Sequence, residues 1–193
     1  MMEARKQWIE VGYELFAREG PEGIKAQKLA KILKLNKSGF YHYFGDREGY
    51  FSNLLEYHDK MGEEIFQEIS LLRQFDPDYY ELLLKFKTSL MVQMQLRKHS
   101  DISMFKEAFL KFSRRNDRAQ LHLWASYLNI ADNQEVANAM FVIARDAFYT
   151  RLINEDMNLE LIRSLIRDVV DVVARMNRKV PVKNAPPSHK SSG

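Results

Sequence analysis

The sequence predicts an all-α protein, with three short helices at the N-terminus followed by a body of longer ones. Two observations carry this. Apolar residues recur at i, i+3 and i+4 spacing in almost every segment, and no segment keeps the alternation of a half-buried strand. Of the 193 residues 46% are hydrophobic, enough for a real core, while the charged 28% are too mixed in sign for a disordered polyelectrolyte. No stretch approaches roughly 18 uninterrupted apolar residues, so no membrane span is expected. The opening MMEARKQWIEVGYELF lacks the apolar run of a signal peptide. A soluble, cytoplasmic protein is therefore the default expectation. The absence of cysteine excludes disulfides, thiolate zinc sites and cysteine nucleophiles.

Each element has its local reason. Trp8, Val11, Gly12, Leu15 and Phe16 share one face of a first helix, and Gly20-Pro21-Glu22-Gly23 ends it. Ala26, Leu29, Ala30 and Leu33 make the apolar face of a second helix. Asn36 can cap a third, its side-chain oxygen accepting from an unpaired N–H of the first turn. Gly45 breaks the chain, and Asp46 caps a long helix predicted from Arg47 to Gln74, roughly 40 Å at 1.5 Å per residue. Asp76-Pro77 opens a helix expected to reach about Arg97, with proline where its missing N–H costs nothing. Ser100 or Asp101 is expected to cap the next, ending near Arg114 to Asp117. Further helices are expected at about 117–129, 133–153 and 158–178. The last carries Ile162, Leu165, Ile166, Val169, Val170, Val172, Val173 and Met176, a stripe wider than one core-facing side needs. Residues 181–193, rich in Pro and Ser, are expected to be disordered.

Charge is unevenly placed. The whole chain carries +3, yet from Ile24 to Arg47 the bases Lys25, Lys28, Lys31, Lys34, Lys37 and Arg47 face only Asp46. A basic head on a near-neutral body is the footprint of nucleic-acid binding. In the run KAQKLAKILKLNKSGFYHYF, lysines 25, 28 and 31 lie opposite the apolar face of helix two. A solvated lysine face would look the same, but the next helix alters the balance. Phe40 and Phe44 are i, i+4 and can anchor a core, leaving Lys37, Ser38, Gly39, Tyr41, His42 and Tyr43 outside. Small residues at a helix start let the backbone approach base edges in a major groove, and hydroxyls donate to phosphate. Lys37, Ser38 and Gly39 are accordingly expected to face bases, with Tyr43 at their margin. Tyr41, His42, Lys25, Lys28 and Arg47 are expected to hold phosphates.

These residues resemble the TetR-like (TetR/AcrR) transcriptional regulators over about positions 8–55. The resemblance lies in Leu15-Phe16, Gly20, Gly23, Leu29-Ala30, Phe40-Tyr41-His42-Tyr43-Phe44 and Arg47-Glu48. It implies a three-helix DNA-binding head with a helix-turn-helix at residues 1–50, a helical effector-binding and dimerisation body at 51–180, and a homodimer. Two positions depart from the pattern. Lys34 stands in the turn where glycine is usual, at a cost on the order of 1 kcal/mol if φ is positive. Lys25 stands where a threonine hydroxyl often caps helix two.

The body is rich in Phe, Tyr, Met and Trp. Ordinary core would look like this, but the resemblance implies a cavity for an apolar small-molecule effector. Met91, Met94, Phe105, Phe109, Trp124 and Phe141 are its candidate walls, together with Tyr149 and Arg145. The Arg145-Asp146 pair interrupts the apolar run of residues 139–149, so its charges must pair at a dimer interface or face a ligand. The last two helices are the expected homodimer interface, their extra apolar width closing a four-helix bundle. The sequence thus points to a regulator binding double-stranded DNA, most simply a repressor released by its effector. The alternative is a DNA-binding protein with an architectural or protein-partnered role and no effector. An enzyme is not expected. The histidines, His42, His58, His99, His122 and His189, form no HExxH motif and no catalytic triad, and no phosphate loop is present. His58-Asp59 with Glu63 and Glu64 is placed on the exposed face of a long helix rather than around a metal. No cofactor is expected.

Overall fold

A computed structural model describes residues 2–152 and 157–179. The tail predicted over residues 181–193 lies outside them, as do the side chains of Val173 and Met176. Among the described residues the fold is helical without strands: α1 (Met2–Glu19), α2 (Ala26–Leu33), α3 (Lys37–Phe44), α4 (Arg47–Ile69), α5 (Tyr80–Lys85), α6 (Lys87–Lys98), α7 (Ser103–Tyr127), α8 (Gln134–Leu152) and α9 (Leu159–Lys179). None of these helices is long and apolar enough to cross a membrane.

The first four helices follow their local signals. The Asn36 side chain accepts from the Ser38 amide at 2.9 Å and starts α3. Gly45, with φ +75°, lets the chain turn, and Asp46 accepts from the Gly49 amide at 2.7 Å to start α4. Lys34 holds φ +56° and closes α2 with its amide on Ala30 and Lys31, while Leu35 N–H reaches the Ala30 carbonyl at 3.0 Å. This left-handed cap is glycine's place. Lys34→Gly is expected to raise stability by about 0.5–1 kcal/mol, the left-handed strain less the greater freedom of the unfolded glycine. A urea midpoint at or below that of the parent would contradict this.

Three boundaries differ from expectation. α4 ends at Ile69, not Gln74. The segment expected to run unbroken from Asp76 to Arg97 is a wide turn over Phe75–Tyr79, then α5, then α6, with non-helical backbone at Phe86 between them. The two helices expected to meet near Asp117 are one, α7, which starts at Ile102 without a side-chain cap. The cluster Arg114–Asp117 looked like a junction because it is polar. In the fold the cluster stays helical, and two of its members bond to neighbouring helices while Arg114 and Asn116 bond back to α7 carbonyls. Arg115 pairs with Asp59 at 2.9 Å and Glu63 at 3.2 Å on α4, and Asp117 pairs with Arg145 on α8.

α1 packs along α6 and against α4, and α4 continues from the head along α7, so the expected boundary at residue 50 falls within a helix. Toward the other end, α7, α8 and α9 pack in sequence, with α9 also against α5.

Candidate nucleic-acid interface and body cavity

α3 is held out from the fold by an aromatic pedestal. Phe40 and Phe44 are buried. Phe40 meets Trp8 edge-on at 5.7 Å and stacks on Tyr50 at 4.9 Å, and Phe44 meets Tyr50 edge-on at 4.9 Å. Fully buried Tyr50 donates its hydroxyl to the Trp8 carbonyl at 2.8 Å, which locks α4 to α1 beneath the helix. The opposite face of α3 is presented to solvent. Lys37, Ser38, Tyr41 and His42 are exposed, and Gly39 and Tyr43 are half-buried.

The expected phosphate groups are not equivalent. Lys25 is exposed at the start of α2, whose first turn has no side-chain cap. It shares a shallow groove with Ala26, Tyr41 and Arg47, which joins the amide end of α2 to the outer face of α3. Lys28 is instead paired with Glu19 at 2.5 Å. Arg47 donates to the Pro21 carbonyl and lies over the Phe51 ring at 5.0 Å, so it also clamps the turn before α2. Lys37 sits 5.6 Å from the Tyr41 ring, which orients both on the outer face. Ser38 is engaged, its hydroxyl on Asn36 at 2.9 Å. Gly39 is different. A methyl there would meet only the Trp8 ring, at 3.8 Å, so the fold itself does not demand glycine.

The body encloses a cavity of about 70 Å³ between α4, α5, α7, α8 and α9. Of the eight residues expected around an effector, Phe141, Arg145 and Tyr149 line it. Met91, Met94, Phe105, Phe109 and Trp124 lie elsewhere. Phe105 packs on Phe16 and Phe51 and joins head to body. Trp124 is fully buried and donates to the Ala137 carbonyl at 3.0 Å. Phe109 stands behind Tyr149 at 6.3 Å, with Arg145 over its ring at 5.8 Å. Arg145 is largely buried and finds its partners within the chain. It joins Asp117 and Asp146, and Asp146 is held in turn by Arg97 at 3.1 Å. Burial raises the Asp117 carboxyl to about 6, outweighing the opposing pull of Arg145.

The polar part of the cavity wall was missed in the sequence. Ser113, Asn116 and Gln120 are buried, and all three line the space. Their signal was their spacing: with Phe109, Phe112 and Leu123 they fall on the apolar face of α7, where a polar side chain needs a partner.

His58 corrects a second expectation. It is not on an exposed helix face but fully enclosed, stacked on Phe112 at 4.8 Å. Its Nδ1 meets the Tyr13 hydroxyl at 2.7 Å and its Nε2 meets the Gln93 carbonyl oxygen at 3.1 Å. The Ser89 hydroxyl lies 3.0 Å from the Tyr13 oxygen, and the Gln93 amide donates to Ser113 at 3.1 Å. Burial lowers the His58 imidazole to about 4, so it is neutral near pH 7. Asp59 and Glu63 are held by Arg115, and among the described residues no three His, Asp or Glu side chains are grouped to hold a metal.

Residues 5–53 match the family described as bacterial regulatory proteins, tetR family. Over 58 residues, 30% of this chain, the sequence is 36% identical to the uncharacterized HTH-type transcriptional regulator YuxN of Bacillus subtilis, and the matched stretch spans 20% of that relative. Two crystal structures share the fold almost end to end. One is a transcriptional regulator from Aquifex aeolicus VF5, at 17% identity and a TM-score of 0.60, covering 89% of this chain and 98% of that one. The other is assigned to the TetR-family transcriptional regulators, from Mesorhizobium loti MAFF303099, at 13% identity and a TM-score of 0.61, covering 91% and 98%. At these identities the likeness is one of fold.

Proposed function

We propose that this chain, whose head at residues 5–53 matches the tetR family of bacterial regulatory proteins, is a cytoplasmic, DNA-binding transcriptional regulator of that family, a homodimeric repressor released by a small apolar effector. The observation that carries DNA binding is the outer face of α3, a solvent-facing set of Lys37, Ser38, Gly39, Tyr41 and His42 on a rigid aromatic pedestal. Lys37, Ser38 and Gly39 reach bases, with Tyr43 at their edge. Lys25, Tyr41 and His42 take phosphates directly, whereas Lys28 must first leave Glu19, and Arg47 must share its guanidinium with Pro21. Each phosphate neutralised contributes about −0.9 to the log–log salt slope.

Gly39 supplies the test. Gly39→Ala fits the fold and is expected to stabilise the head by about 0.5 kcal/mol, because glycine within a helix is entropically costly. The same methyl stands between the backbone and a base edge. It is expected to weaken binding to operators selected from random DNA by tenfold or more, about 1.4 kcal/mol. A variant that is more stable and binds as tightly as the parent would remove Gly39 from the interface.

A dimer follows from the apolar stripe left outside on α8, where Val136 and Ile143 are exposed and Met140 is half-buried, together with exposed Val172 on α9. Two heads then meet successive major-groove faces about 34 Å apart. The effector acts by its differential affinity for two head spacings. The body cavity supports effector control over a purely architectural role. At about 70 Å³ it is smaller than the ~150 Å³ space that takes benzene, so an effector must widen it on entering. The short α5, set off by the break at Phe86, is the wall best able to yield.

A further inference from the structure

Resting on the effector reading of the body, we propose that the cavity is a receptor for a lipophilic organic cation, an apolar body carrying a hydrogen-bond-donating ammonium. What selects this chemistry is an unpaired acceptor in the wall beside a buried carboxylate. Asn116 lines the cavity, is only 5% exposed, and its Oδ1 has no hydrogen-bond partner, whereas the Gln120 side chain is engaged with Tyr79. The Asn116 orientation is set, because its Nδ2 donates to the Phe112 carbonyl at 3.0 Å, and reversing the amide would set two oxygens against each other. That acceptor, next to Asp117 in the chain, therefore stands unspent.

The cationic donor of the wall is already committed. Arg145 directs Nη1 to Asp117 and Nε and Nη2 to Asp146, so its guanidinium is committed to two carboxylates. A ligand carboxylate or phosphate would have to break that arrangement and would meet Asp117 beside it. An ammonium instead gives Asn116 Oδ1 the donor it lacks. It also brings positive charge to the buried Asp117. The raised Asp117 carboxyl agrees with this, since it reflects an anion incompletely compensated by its protein partners. The rest of the wall is largely apolar and mixes aliphatic side chains with the rings of Phe75, Tyr79, Phe112, Phe141, Phe148 and Tyr149, whose faces attract a desolvated cation.

Calorimetric titration with three matched probes tests the proposal: 4-phenylbutylammonium, 4-phenylbutanol and 4-phenylbutyrate, at pH 7.5. The ammonium is expected to bind at least about tenfold more tightly than the carboxylate, with the alcohol between them. Asn116→Leu and Asp117→Asn are each expected to reduce ammonium affinity about tenfold and to change alcohol affinity much less. Asn116→Leu also removes an unpaired acceptor, so its melting temperature should not fall, which separates a lost contact from a lost fold. Equal or tighter binding of the carboxylate, a cation preference that survives both variants, or no binding by any probe would overturn the proposal. Operator release is measured in parallel. If the alcohol or the carboxylate binds best and releases DNA, the effector reading stands and the cation proposal falls. If the ammonium binds with the expected preference and DNA affinity is unchanged, the cation site stands and the effector reading fails.

Discussion

Replacing Gly12 with alanine is expected to cost the protein about 3 kcal/mol and to abolish operator binding. Gly12 lies buried in α1, directly against Tyr50. A methyl group there would overlap the Tyr50 hydroxyl and stand 2.8 Å from its Cζ, and Tyr50 is fully buried with no free direction of retreat. Overpacking of this kind costs about 1–3 kcal/mol. Displacing Tyr50 also breaks its hydrogen bond to the Trp8 carbonyl, worth about 1 kcal/mol. The better helix propensity of alanine returns only about 0.5–1 kcal/mol. Because Phe40 and Phe44 both rest on Tyr50, α3 loses its support along with the stability. Thermal unfolding and an electrophoretic shift measure the two effects. Adding Tyr50→Phe should restore part of the stability by removing the clashing oxygen. A Gly12→Ala protein that melts with the parent would show that the contact between α1 and α4 yields easily.

Arg145→Met is expected to destabilise the body in a pH-dependent way. In the parent, burial raises the Asp117 carboxyl to about 6 even with Arg145 attached. Below that value Asp117 is protonated in both proteins, and little is lost with the guanidinium. Above it the parent ionises into its ion pair. The variant must hold a proton against a rising pH or leave a charge buried alone, so its own carboxyl moves further up. The deficit therefore opens as pH climbs through 6, at about 1.4 kcal/mol per pH unit, and reaches about 3 kcal/mol near pH 8. Urea midpoints at pH 5 and pH 8 read it directly. Combining Arg145→Met with Asp117→Asn should flatten the dependence. A deficit equally large at pH 5 would mean that Arg145 acts through packing on Phe109 rather than through Asp117.

Legibility in the sequence varied with the range of the interactions involved. α3 could be read closely because its signals are local. Asn36 caps it, Phe40 and Phe44 are one turn apart, and Gly45 ends it, so the outward set from Lys37 to Tyr43 follows from helical geometry alone. The partners of Lys28 and Arg47 were not legible, because Glu19 and Pro21 meet them across a turn whose path depends on Gly20 at φ +68°. In the body, the aromatic stripe announced a core but not which rings would border a space. Phe105 and Phe141 look alike in sequence, yet one fills the joint between head and body and the other lines the cavity. The continuity of α7 was hidden by its polar centre, since Arg115 and Asp117 resemble a junction until α4 and α8 supply their partners.

By itself the sequence determined the helical class, the basic head with its outward recognition face and the resemblance to a regulator family. Those features rest on period, capping and charge within a few neighbouring residues, where geometry leaves little choice. Only the tertiary structure decided that His58 is a buried neutral link between α1, α4 and α6, that Arg145 pairs with Asp117, and that Asn116 lines a cavity with its acceptor unspent. Those outcomes depend on which side chain arrives from a helix tens of residues away, and on a balance of desolvation and pairing that no local pattern encodes.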